Sequence, residues 1–140
     1  MSKKKIVIAI LGAVIFVLAL NTLTVFIVSN REGNVTFSGS GRHMSSTRFE
    51  DGFSVNAQHI SGSHRMHINF TASNLNNLQV HNTNTTGQMF LELTQGDIVR
   101  QTNITGNFSS NIDTGAFEPG RITIRIIYER AEEISFSINW

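Results

Sequence analysis

Cysteine is absent from the 140 residues, and proline, tryptophan and tyrosine occur once each. Without cysteine there is no disulfide framework, no thiolate metal site and no lipid attachment through a thiol. Lysine stops at residue 5: the eight basic side chains beyond residue 28 are all arginine, set against ten acidic ones, a formal charge of −2. That balance argues against a nucleic-acid surface or a polybasic lipid-binding patch. A single Trp and a single Tyr leave little aromatic area for stacking on sugar rings. The glycine-rich phosphate loop, the His-Glu-x-x-His metalloprotease motif, the acidic calcium loop and the Gly-x-Ser-x-Gly elbow are also missing.

What is present begins at Lys3-Lys4-Lys5, followed by Ile6 to Val28, 23 residues without a charge. About 20 apolar residues in a helix cross the hydrocarbon core of a bilayer. The run is longer than the roughly 7–15 residues of a signal-peptide core, and no Ala-x-Ala site closes it. Lysines crowd the N-terminal flank, which the positive-inside rule assigns to the cytoplasm. The expected organisation is a basic cytoplasmic tail (1–5), a transmembrane signal anchor (6–28) held in the lipid bilayer, a polar linker (29–33) and one extracytoplasmic domain (34–140). Cleavage after the apolar run would instead release the domain as a secreted protein.

The outer portion reads as strands of period 2 separated by turn residues, with no convincing helical period. His64, Met66, Ile68 and Phe70 share one face of a strand, and Arg65, His67 and Asn69 the other. Met89–Leu93 and Ile122–Tyr128 are further strong strands, the latter setting Ile122, Ile124, Ile126 and Tyr128 against Thr123, Arg125 and Ile127. Weaker strands are expected near Val35–Ser38, Phe53–Ile60, Leu78–His81 and Ile98–Thr102. Turns are expected at Asp51-Gly52, Ser61-Gly62, Thr86-Gly87 and Gly96-Asp97, and a type II turn at Glu118-Pro119-Gly120. Ser38-Gly39-Ser40-Gly41 reads as a flexible connection, residues 74–87 as a mobile loop, and 121–140 as a hairpin around Ala131-Glu132-Glu133. Trp140 is expected to seal one end of the core. The pattern predicts a mainly β chain: a transmembrane helix followed by one antiparallel β-sandwich of jelly-roll type.

Five histidines are the first suspects for chemistry. His64 and His67 are an odd step apart on one strand, hence on opposite faces and unable to share a metal ion. The carboxylates Glu50-Asp51 and Glu129, Glu132, Glu133 fall at apparent turns, where charge serves solvation. No catalytic, cofactor-binding or metal-binding residue is assigned, and an enzyme is not expected. The remaining ligand-facing candidate is a polar strip made of His59, Arg65, His67 and Asn69.

The run Phe117-Glu118-Pro119-Gly120-Arg121-Ile122-Thr123-Ile124 and the final Ile138-Asn139-Trp140 resemble the closing strands of small secreted or membrane-anchored β-sandwich proteins of Gram-positive bacteria. Ser38-Gly39-Ser40-Gly41, Asp51-Gly52 and Gly62 are similar to the glycine-marked early strands of such domains. The resemblance implies fold and location and transfers no functional residue. The expected role is a non-enzymatic interaction or structural module in the bacterial cell envelope, partnered by an envelope protein or polymer and not by nucleic acid. The alternative is a secreted or anchored domain that binds an envelope polymer or small ligand.

Overall fold

The computed structural model describes residues 34–140. The expected anchor (6–28), basic tail and linker lie outside the described residues. Among those that are described, no helix is long and apolar enough to cross a membrane.

Val35–Trp140 form one compact unit. In chain order it contains β1 (Val35–Arg42), β2 (Ser45–Phe49), β3 (Gly52–Phe70), the short helix α1 (Ala72–Asn76), β4 (Gln79–Thr83), β5 (Thr86–Gln95), β6 (Ile98–Asn103), β7 (Phe108–Asn111) and β8 (Gly120–Asn139). The eight strands make one antiparallel sheet built on the two long strands β3 and β8. The first part of β3 is flanked by β2 and by the end of β8, which in turn pairs with β4, and β4 with β7. The second part of β3 is flanked by β1 and by the start of β8, which pairs with β5, and β5 with β6.

A straight strand of this length would run about 60 Å at roughly 3.3 Å per residue. The β3–β8 ribbon instead doubles back on itself. Phe70, the last residue of β3, meets Trp140 edge-on with ring centroids 5.6 Å apart, while Asn139, next to Trp140, pairs with Gly52 at the start of β3. The bend is written in the inward side chains. They alternate through Phe53, Val55 and Ala57, then step by three to Ile60 before resuming at His64, Met66, Ile68 and Phe70. In β8 the same step of three occurs from Tyr128 to Ala131 and again to Ile134. Arg130 and Glu133 take positive φ there (51° and 50°), and the pairing register slips by one residue between Ile60 and Gly62. Bulges of this kind sharpen the bend and twist of a long ribbon.

The inward faces of both halves form a single core with Leu75 of α1. Its fully buried members include Phe53, Ile60, Met66, Met89, Leu91, Ile122, Ile124, Ile126 and Phe136. Trp140 closes one end of it, half-buried, with the Arg48 guanidinium 4.8 Å from its ring and its own N–H donating to the Asp51 carbonyl at 3.0 Å.

Several expectations are corrected. The segment 121–140 is one continuous strand and no hairpin: the extra residue lies at Glu129-Arg130, between Tyr128 and Ala131, and the exposed Glu132 stays paired with His59. Ser61-Gly62 is no turn, nor is Ser38-Gly39-Ser40-Gly41 a flexible connection; both lie within strands. Gly39 and Gly62 are cross-strand partners, with φ of 144° and 131°, and a Cβ on either would strike the backbone of the other strand. The glycines therefore mark a close approach of two backbones. Residues 74–87 are no mobile loop, because α1, β4 and the start of β5 occupy them. Thr71 caps α1, its hydroxyl accepting from the Asn74 N–H while the Asn74 side chain accepts from the Thr71 N–H. The type II turn is not at Glu118-Pro119-Gly120: Gly120 has φ 137° as the first residue of β8, and the closed turn is Thr114–Phe117, with an N–H to carbonyl distance of 2.9 Å. At Gly96-Asp97 the β5–β6 hairpin does turn in two residues, Gly96 having φ 57°, as a glycine-first hairpin turn requires.

Candidate functional site

Three of the four sequence-predicted site residues lie together. Arg65, His67 and Asn69 point outward from the second part of β3, because Met66, Ile68 and Phe70 between them are committed to the core. The register then decides what stands beside them on β8: Arg65 faces Arg125, His67 faces Thr123, and Asn69 faces Arg121. The face continues through Glu92 and Thr94 of β5, opposite Arg125 and Thr123, to Gln101 and Val99 of β6.

Arginine dominates this surface. Arg125 reaches Glu92 at 3.9 Å and Ser63 Oγ at 3.3 Å. Arg65 and Arg121 are exposed and take part in no ion pair among the described residues. His67 Nδ1 lies 2.9 Å from Thr123 Oγ1, which fixes the ring against β8. Partial burial lowers the His67 pKa from its ordinary value, and the positive charges of Arg121 and Arg65 lower it further. The imidazole is thus a neutral hydrogen-bonding group between two cations.

His59, the fourth predicted residue, is not part of this group. Its side chain has the same outward phase, but it sits at the bend, about 20 Å of strand from Arg65 at roughly 3.3 Å per residue. There it pairs across strands with Arg42 on one side and Glu132 on the other, its Nδ1 3.8 Å from the Glu132 carboxylate. Arg42, Gln58, His59, Glu132 and Glu133 line an open depression of about 320 Å³. Asp51, at the β2–β3 turn, His59 and His67 are strung along the β3 ribbon and do not converge. Among the described residues no group of three or more His, Asp or Glu side chains is arranged to hold a metal ion.

The other two notable histidines have structural surroundings. His64 is buried, with Nδ1 2.8 Å from the Tyr128 hydroxyl, and Phe37 and Phe53 lie against it at ring centroid distances of 4.7 and 5.2 Å. Burial lowers its pKa to about 4 and raises that of Tyr128. His81 is exposed, 2.7 Å from Ser109 Oγ. It belongs to the outward face of the other half of the sheet, where Thr47, Ser54, Ser137, His81 and Ser109 form one cross-strand row. That row carries no acidic or lysine or arginine side chain, which sets it apart from the arginine face.

No protein-family model matches the chain, and no curated protein matches it either. The site must be read from its own chemistry.

The alternation Ile122, Ile124, Ile126 already placed Arg125 outward, and Arg121 shares its phase. Their meeting with Arg65 follows from the β3–β8 register, which joins segments 60 residues apart and has no local signature.

Proposed function

We propose that this chain is a non-enzymatic interaction module of a bacterial cell envelope. Residues 6–28 anchor it in the membrane, residues 34–140 stand on the outer side, and the outward face of β3 and β8 is its recognition surface. The observation that carries the reading is the alignment of Arg65, His67 and Asn69 with Arg125, Thr123 and Arg121 across two central strands. A rigid sheet holds these donors in a fixed array, while the carboxylates and histidines that general acid–base chemistry would use are spread along the ribbon. The two halves of the bent sheet, each with one inward apolar face, fit a β-sandwich of jelly-roll type. This agrees with the resemblance to small anchored β-sandwich proteins of Gram-positive bacteria.

A second reading has its own observation. Among the described residues the edge strand β6 pairs only with β5, and it exposes Ile98 and Val99, the latter at 50%. An uncovered edge with apolar side chains is suited to adding a strand from a protein partner.

Protease shaving of intact protoplasts that express a C-terminally tagged chain tests the location. Loss of the tag, with a membrane-retained fragment ending near residue 30, supports an anchored outer domain. A protected tag overturns the outward orientation. A tag recovered in the medium, on a chain beginning after residue 20, replaces the anchor with a cleaved signal.

A further inference from the structure

The arginine face contradicts what sheet energetics favour. Like charges directly opposite each other on neighbouring strands destabilise a sheet by some tenths of a kcal/mol, yet Arg65 and Arg125 are direct partners on its two central strands. Arg121 lies on the same face, four residues from Arg125 and about 13 Å away along β8 at roughly 3.3 Å per residue. The portion of the chain beyond residue 28 is net negative, so this gathering of arginines is local. Glu92, at 3.9 Å from Arg125, is a single carboxylate among three guanidinium groups. Guanidinium forks match the paired oxygens of a phosphate, and the hydroxyls and amide beside them (Ser63, Thr123, Asn69) add neutral donors.

We propose that Arg65, Arg125 and Arg121 bind a phosphate-bearing polymer, Arg65 and Arg125 clasping one phosphate and Arg121 another further along the chain. The proposal rests on the reading of this face as a recognition surface and names the ligand that the surface takes. The spacing favours a polymer, since a single ion fills the Arg65–Arg125 pair and leaves Arg121 unused. His67 stands between the guanidinium groups and reports the event: its pKa is held down by burial and then by the charges of Arg121 and Arg65, and bound phosphate offsets those charges.

The test uses the full-length chain in phosphatidylcholine nanodiscs, titrated with long-chain inorganic polyphosphate. Binding should weaken about fivefold or more between 50 and 200 mM salt, as expected when about two phosphates are neutralised. Arg65→Gln and Arg121→Gln should each weaken binding by about fivefold or more, whereas Arg42→Gln, at the bend, should leave it unchanged, each removing one charge. The His67 imidazole, followed by NMR, should titrate at higher pH with polyphosphate present. Affinity for orthophosphate equal to that for polyphosphate overturns the polymer. Unchanged affinity in both variants overturns the site. Binding only to vesicles containing anionic phospholipid replaces the polymer with a membrane surface. Sedimentation with isolated cell envelopes separates the two levels. If the wild-type chain sediments with envelopes but ignores polyphosphate, the phosphate proposal falls and the interaction module stands; if it does neither, both fall.

Discussion

Arg65 and Arg125 face each other across β3 and β8 at the centre of the sheet, and only Arg125 has a carboxylate partner, Glu92, among the described residues. The arrangement costs stability in the free protein and is repaid when an anion lies between the two guanidinium groups. Replacing Arg65 therefore separates the two effects. Arg65→Gln should raise Tm by about 2–4 °C, corresponding to relief of some tenths of a kcal/mol in a domain of this size. Calorimetry of the ligand-free protein at low salt checks it, and a fall in Tm would show that Arg65 stabilises the free sheet.

His64 predicts an acid dependence. In the fold its imidazole stays neutral down to about pH 4, against an ordinary value of 6.5. Between those two values the unfolded chain binds more protons than the folded one, so stability falls as pH drops through that window and this group adds no further loss below it. The full effect is roughly 3 kcal/mol. Denaturant unfolding at pH 7, 5.5 and 4 should show the decline, and His64→Gln should flatten it whatever its own baseline. Tyr128→Phe leaves Nδ1 without its partner and should cost about 1–2 kcal/mol at pH 7.

Gly39 and Gly62 predict the largest losses. Each has a positive φ, and a Cβ on either meets the backbone of the opposite strand, so no rotamer change relieves the clash. Gly39→Ala and Gly62→Ala should each destabilise by at least about 3 kcal/mol, since backbone strain and overpacking combine. Gly96→Ala, whose added Cβ meets nothing within 4 Å, bears only the cost of its φ of 57°. It should lose about 1 kcal/mol. Equal losses at Gly39 and Gly96 would remove the close approach from the account.

The same glycines explain where the sequence was legible and where it was not. Alternation alone placed His64, Met66, Ile68 and Phe70 inside and Arg65, His67 and Asn69 outside, and the structure agrees. It failed at Ser38–Gly41, Ser61-Gly62 and Ala131–Glu133. There the residues that usually end strands serve as a backbone contact or stay paired beside a bulge, within strands of 8, 19 and 20 residues. Local propensity cannot tell a turn from a bulge, since both want small or solvated residues. Half of the arginine face was equally hidden: Arg65 was visible as an outward residue, but its partner Arg125 is set by a register that only the folded ribbon defines.

The most direct test of the β3–β8 face as the recognition surface is site-specific photo-crosslinking in living cells. A photoreactive residue replaces Asn69 on the arginine face or Ser135 on the outward face of the other half, both being exposed. The account predicts envelope adducts from position 69 and none from position 135. Adducts from position 135, with none from position 69, would contradict it.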